Sequence, residues 1–218
     1  MEHTVMIYFS PTGTSRMILE AVAQGLGKEV SKVIDITDPE TRKKELPELE
    51  NALVLMGVPV YAGRIPAEAA EYLKRLLTRN CVAVPVVLYG NRDYDDALLE
   101  LKDITEEIGC IPVAGGAFIG EHSFCGKEFE IAPGRPDEKD LEKARSFGEQ
   151  IAKILQEAES LETLSGVEVP GNFPYKELTG QGRFQFINVT EECDDCGICV
   201  TVCPKDAIDE SNGYATRD

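Results

Sequence analysis

Four of the seven cysteines fall within 11 residues, as Cys193-x2-Cys196-x2-Cys199-x3-Cys203, followed by Pro204. Thiolates at that spacing can wrap one corner of an iron–sulfur cubane, while the three-residue gap and the proline turn the fourth away. Gly197 fits the tight turn beside such a cluster. Paired Cys-x2-Cys also suits zinc, but a structural zinc site normally uses two separated pairs, and these four form one run. The spacing therefore assigns Cys193, Cys196, Cys199 and Cys203 to a [4Fe–4S] cluster. In two-cluster modules the fourth cysteine of such a run ligates the other cluster, which requires a second run of four. No second run occurs in the 218 residues. The expectation is a sequence that stops short of it, leaving one or, in a longer native chain, two clusters; the alternative is a one-cluster domain that uses all four thiols. Cys81, Cys110 and Cys125 are scattered and read as buried core thiols.

A second chemistry lies near the N-terminus. Ser10-Pro11-Thr12-Gly13-Thr14-Ser15 follows a run of apolar residues and opens a helical pattern. It offers four hydroxyls, a glycine that lets a ligand approach the backbone, and the free N–H groups of a helix N-terminus. It contains no Lys or Arg. Neutral donors plus a helix dipole suit a phosphate monoester. The loop lacks both the Gly-Lys-Ser/Thr of a P-loop and the glycine fingerprint of dinucleotide-binding turns. Its rival reading is an ordinary Ser/Thr-rich cap.

The elements that must position these residues alternate between strand and helix. Apolar runs at Thr4–Ser10, Lys32–Ile36, Ala52–Val58, Val82–Tyr89 and Pro112–Ile119 predict five strands. Amphipathic patterns predict helices over Ser15–Gly27, Pro66–Thr78, Asp95–Ile108 and Pro136–Ser160. Near-continuous apolar strands point to a parallel sheet covered on both faces. The expected fold is α/β with strand order 2-1-3-4-5, and ligands bind beyond the C-terminal strand ends. Two further loops reach that edge. One contains Pro59, Val60, Tyr61 and Ala62. The other runs Tyr89-Gly90-Asn91-Arg92-Asp93-Tyr94. One loop holding a phosphate and two sandwiching a flat aromatic ring suit FMN. Tyr61 or Tyr94 taken singly reads equally as a surface aromatic. His122 follows the fifth strand at the same edge, where it reads either as a structural histidine or as a residue facing the flavin or a substrate.

Residues 1–160 form the first expected domain. Leu161 to Gly182, with turn signals at Pro170-Gly171-Asn172 and Gly180-Gln181-Gly182, is the expected linker that wraps one domain onto the next. Residues 183–218 form a small Cys-rich module. The chain carries 39 acidic and 22 basic residues, net charge −17. That balance argues against a nucleic-acid backbone or an anionic membrane as partner. No apolar run approaches the roughly 18 residues of a membrane span, and no basic, apolar leader opens the sequence. A cytoplasmic location is expected, and an odd cysteine count there argues against a disulfide framework.

Residues 4 to about 155 resemble a flavodoxin domain. Ser10-Pro11-Thr12-Gly13-Thr14-Ser15 resembles the flavodoxin phosphate motif Thr/Ser-x-Thr-Gly-x-Thr. The resemblance implies that Ser10, Thr12, Gly13, Thr14 and Ser15 hold the FMN phosphate. It implies that Pro59, Val60, Tyr61 and Ala62 meet the isoalloxazine, and that Tyr89 to Tyr94 close its other face. The Tyr61 loop lacks the acidic residues of short-chain flavodoxins and looks more like that of multi-domain flavoproteins. With the Cys193 run, the whole resembles the flavodoxin–ferredoxin fusion proteins of anaerobic bacteria and archaea. The implied function is electron transfer that couples a one-electron cluster to FMN. Its partners would be redox proteins, a ferredoxin or another iron–sulfur donor or acceptor, since no nicotinamide-binding fingerprint follows a strand. The alternatives are a flavin reductase of a small substrate such as a quinone, with the cluster as electron inlet, and a redox-sensing protein.

Overall fold

A computed structural model describes residues 1, 3–178, 189–212 and 215–216. Ten strands occur among them: β1 (His3–Tyr8), β2 (Lys32–Asp35), β3 (Glu48–Glu50), β4 (Ala52–Pro59), β5 (Leu77–Arg79), β6 (Cys81–Tyr89), β7 (Cys110–Pro112), β8 (Gly116–Ile119), β9 (Ile208–Asp209) and β10 (Ala215–Thr216). The α-helices are α1 (Thr14–Leu26), α2 (Pro39–Lys43), α3 (Ala67–Leu73), α4 (Ala97–Glu107), α5 (Glu138–Glu157) and α6 (Ile198–Val202).

The main sheet is parallel and runs β2-β1-β4-β6-β7, with β8 also paired to β6. This is the expected order 2-1-3-4-5, its fifth strand divided in two. Four residues of β6, from Ala83 to Val86, face five on the partner, from Pro112 to Gly116. The extra residue is a bulge, which interrupts pairing at Val113-Ala114-Gly115.

Side-chain alternation splits the core into two layers. Val5 and Ile7 of β1 and Phe9 just beyond it, with Val54 and Met56 of β4, pack under Tyr72 and Leu73 of α3 and Leu98 and Leu101 of α4. Met6, Tyr8, Leu53 and Leu55 point the other way, onto Ile18, Leu19 and Val22 of α1 and Ile151 of α5. Ile18, Leu19 and Val22 are fully buried; each such side chain contributes about 1.5–3 kcal/mol relative to exposure. α1 and α5 meet backbone to backbone. A Cβ at Gly25 would collide with the Arg145 carbonyl, and one at Gly148 with the Val22 carbonyl.

Two expectations need correction. The helix begun at Pro66 ends at Leu73, not Thr78. Leu76 turns into the core and Leu77–Arg79 pairs with Glu48–Glu50 as a small parallel sheet. α2 was not foreseen, although Asp38 caps it by accepting from the Glu40 N–H and Pro39 opens it, a familiar start signal.

Beyond α5 the chain returns along the sheet domain. The Val167 N–H donates to the Pro112 carbonyl. Asp96, at the start of α4 and almost fully buried, accepts from the backbone N–H groups of Asn172 and Lys176 and from the Asn172 side chain. Tyr175 donates its hydroxyl to Asp103 at 2.6 Å. Residues 179–182 of the expected linker, and 183–188 at the start of the Cys-rich module, lie outside the described residues. No helix among the described residues is long and apolar enough to cross a membrane.

Candidate functional site

The C-terminal ends of β1, β4, β6 and β8 surround a cleft. Its floor is the loop that joins β1 to α1. The Gly13 N–H donates to the Ser10 carbonyl, and Gly13, at φ 80°, turns the chain into the helix. That left-handed backbone is cheap only for glycine. The Ser10 hydroxyl accepts from the Arg16 N–H, and the Ser10 N–H donates to the Thr37 hydroxyl at 2.7 Å. Thr12 and Thr14 bring their hydroxyls within 3.2 Å of each other. The first N–H groups of α1 have no partner within the helix.

The walls come from three other loops. Pro59, Val60 and Tyr61 form one, held by the Val60 N–H on the Leu88 carbonyl and by two backbone bonds between Tyr61 and Arg64. Burial and the carboxylate of Glu68 both push the Tyr61 hydroxyl up from its ordinary value, so it stays a donor. Leu88, Tyr89 and Gly90 form the second wall, and Gly120, Glu121, His122 and Ser123 the third. The His122 ring lies so close over Gly90 that a Cβ there would overlap it. His122 Nδ1 accepts from the Phe124 N–H at 3.0 Å, which leaves the proton of a neutral ring on Nε2.

The structure thus gathers Ser10, Pro11, Thr12, Thr14, Ser15, Pro59, Val60, Tyr61, Tyr89, Gly90 and His122 around one cleft. Gly13 shapes the floor without lining it. Ala62, Asn91, Arg92 and Tyr94 are not on its surface. Asn91, at φ 59°, directs the chain away, and exposed Arg92 pairs with Asp95. Tyr94 stacks edge-on against Tyr89, ring centroids 5.5 Å apart. Leu88, Gly120, Glu121 and Ser123 line the cleft without having been singled out. Their signal was position alone, at the ends of the fourth and fifth strands.

Behind the Tyr61 wall stands a buried ion pair. Glu100 accepts from Arg64 Nε at 2.7 Å and Nη2 at 2.6 Å, and from the Ile65 N–H at 3.1 Å. Arg64 also donates to the Lys176 carbonyl and lies 4.7 Å from the Tyr175 ring centre.

Residues 5–120, more than half the chain, match the flavodoxin domain family. The chain belongs to that family. Residues 187–209 match the 4Fe-4S binding domain, so this flavodoxin domain is fused to a cluster-binding module. No curated protein matches the chain. Rubredoxin oxygen:oxidoreductase from Desulfovibrio gigas is similar in structure, with TM-score 0.50 at 15% identity over 72% of this chain and 36% of that one. A flavodoxin from the domain Archaea gives TM-score 0.43 at 14% identity, over 71% of this chain and 99% of that one. Flavodoxin 2 from Bacillus cereus gives 0.47 at 18%, over 71% and 99%. The likeness to the Desulfovibrio protein is one of fold, and this chain spans about a third of its length.

The flavodoxin domain implies FMN, and the 4Fe-4S domain implies a [4Fe–4S] cluster. The flavodoxin cleft fits its cofactor. Among the described residues, Ser15 Oγ is the buried side-chain polar atom without a hydrogen-bond partner, and it lies at the helix N-terminus in the cleft. A buried hydroxyl left unpaired is costly, and a phosphate oxygen is the acceptor it lacks.

The cysteine segment fits by its donors. Cys193, Cys196 and Cys199 are exposed and Cys203 is half-buried. Asp195 and Gly197 both turn the backbone at positive φ. The Ala207 N–H donates to Cys203 Sγ at 3.4 Å. Thiols in this spacing are those of the bacterial cluster-binding run, and the segment lies within the matched 4Fe-4S binding domain. Among the described residues, however, no three His, Cys, Asp or Glu side chains gather closely enough to hold a metal. Cys81 and Cys110 face each other across β6 and β7, buried as expected; Cys125 is only half-buried.

The cysteine segment also touches the flavodoxin domain. Arg42 of α2 donates to the Pro204 carbonyl at 2.6 Å. Lys205 pairs with Glu68 of α3, and Lys43 lies 3.5 Å from Asp206.

Proposed function

We propose that this protein is an electron-transfer flavoprotein in which the 4Fe-4S domain passes single electrons from a redox-protein donor to FMN on the same chain. Flavin carries one or two electrons and the cluster one, so their pairing couples a one-electron carrier to a two-electron reaction. The observation that carries the reading is the Arg42–Pro204 contact. It sets the backbone beside Cys203 against α2, whose Arg42 also holds the Ile36 and Thr37 carbonyls next to the Ser10 loop, which supports a cluster module at the C-terminal edge of the sheet.

The chain's own residues then have distinct tasks. Ser10, Thr12, Thr14 and Ser15, with the N–H groups of α1, bind the phosphate. Tyr61 and Tyr89 flank the ring and exclude water from it. His122, with its proton on Nε2, donates a hydrogen bond at the open edge. Cys193, Cys196, Cys199 and Cys203 hold the cluster.

The test is Cys196→Ser in protein purified without oxygen. FMN should bind as in the wild type and be reduced by dithionite. Its reduction by a reduced ferredoxin should slow at least ~10-fold, one ligand of the cluster being lost. Reduction by the protein donor at the wild-type rate would refute the relay.

A further inference from the structure

We propose that Arg42, with the Lys205–Glu68 pair, forms an electrostatic latch that seats the chain's own 4Fe-4S segment on the rim of the flavin cleft. The latch rests on the relay for its purpose but not for its test.

Arg42 is a prepared donor. Its Nη1 bonds the carbonyls of Ile36 at 2.6 Å and Thr37 at 2.9 Å, and its guanidinium lies 5.8 Å from the Phe9 ring centre. Those carbonyls belong to residues that brace the phosphate loop. The Ile36 N–H donates to the Tyr8 carbonyl, and Thr37 accepts from Ser10. With Nη1 fixed, the planar guanidinium presents Nη2 to the Pro204 carbonyl, and little side-chain freedom remains to be lost on docking.

Pro204, Lys205 and Asp206 directly follow Cys203, and each one reaches α2 or α3. The order of signs matters. Lys205 meets Glu68, and Asp206 faces Lys43. A slip of one residue would set Lys205 against Lys43 or Asp206 against Glu68. Opposed signs at adjacent positions therefore fix register. Glu68 acts electrostatically on Tyr61, and Arg42 is joined to Ser10 through Thr37, so the latch residues neighbour two of the loops that form the cleft. Exposed ion pairs add little strength by themselves. The latch should therefore hold mainly through Arg42, with the ion pairs setting its register.

The test is amide hydrogen exchange on the intact, cofactor-loaded protein, following peptides that cover residues 198–209. Arg42→Met should speed exchange there by ~10-fold or more, the loss of one hydrogen bond from a charged donor. Lys205→Glu should also speed it, and Lys205→Glu combined with Glu68→Lys should bring it back toward the wild-type rate. Wild-type protein in ~1 M salt, where the Debye length is about 3 Å, should lose only the ion-pair share and exchange more slowly than Lys205→Glu. Because Arg42 also braces Ile36 and Thr37, the charge swap decides the matter if Arg42→Met folds poorly. Wild-type exchange in Lys205→Glu, or no recovery in the swapped pair, overturns the latch. If the variants loosen the segment while a reduced ferredoxin still reduces the flavin at the wild-type rate, the latch stands and the relay fails.

Discussion

Glu100→Ala should destabilise the protein by far more than an exposed glutamate would. The Glu100 residue is only 7% exposed, and its carboxylate takes three donors: Arg64 twice and the Ile65 N–H. Removing it leaves a guanidinium and a backbone N–H without their acceptor. Breaking a buried ion pair by deleting one partner costs ~3–5 kcal/mol. The Arg64 side chain is 21% exposed, and it keeps the Lys176 carbonyl and the Tyr175 ring, so the low end applies, about 3–4 kcal/mol. At ~2–4 °C per kcal/mol for a chain of this size, the melting temperature should fall by roughly 6–16 °C. Glu100→Gln keeps the shape and one acceptor oxygen and should lose about half as much. Calorimetry at fixed FMN concentration measures both, since bound flavin itself raises the midpoint. Flavin affinity should fall in parallel, because Arg64 fixes the Tyr61 hairpin. A shift under ~2 °C for Glu100→Ala would mean that Arg64 finds water easily, and the pair would be an exposed one in disguise.

Two other outcomes follow from the same geometry. Replacing Thr12 and Thr14 together by Ala should weaken FMN binding ~100-fold or more, at about 1.5–3 kcal/mol for each lost bond to a charged group; fluorescence titration reads it, and full retention of flavin would rule out the phosphate assignment. Asp96 bears on acid stability: burial works against its charge, but the N–H groups of Lys176 and Asn172 outweigh burial and hold its pKa below the ordinary carboxylate range. Its folded pKa is depressed, so its contribution is complete above the unfolded value near ~4 and is lost as pH falls through the folded value. Asp96→Asn should therefore narrow its stability gap to wild type below pH ~4 in urea melts from pH ~3 to 7, and a gap that stays constant through that window would exclude the linkage.

The parallel sheet was legible because β4 and β6 are apolar without interruption, as strands covered on both faces must be. The Ser10–Ser15 loop was legible because hydroxyls, a glycine and a helix start coincide within six residues. The bulge that divides the fifth strand was not, since Val113-Ala114-Gly115 is as apolar as its flanks and only the register against β6 reveals the extra residue. Leu77–Arg79 was hidden for another reason: its partner, Glu48–Glu50, is nearly thirty residues away, and local pattern favoured continuing the helix. Around the cleft, short-range reading carried too far past Gly90. The positive φ of Asn91 and the pairing of Arg92 with Asp95, three residues on, turn this segment away from the cleft. The seat of Asn172 and Lys176 on Asp96 was foreshadowed only as a wrapping segment, because nothing in an Asp at a helix start says which distant N–H groups will find it.

The contact of Gly25 with Gly148 makes the cleft a caliper with a fixed gap. α1 carries the phosphate loop at its N-terminus. α5 begins at the capping box of Asp137 and Asp140, and Asp140 grips Arg135. The Arg135 carbonyl in turn accepts from the Glu121 N–H, next to His122. The two jaws, phosphate loop and His122 loop, thus ride on helices joined without an intervening layer of side chains to yield between them. A tilt of either helix moves both jaws together and leaves their spacing unchanged. On the opposite side the Tyr61 hairpin is tied instead by separate hydrogen bonds, Val60 to Leu88 and Asp96 to Gly63, and by the Arg64–Glu100 pair, so adjustment to a guest is expected there.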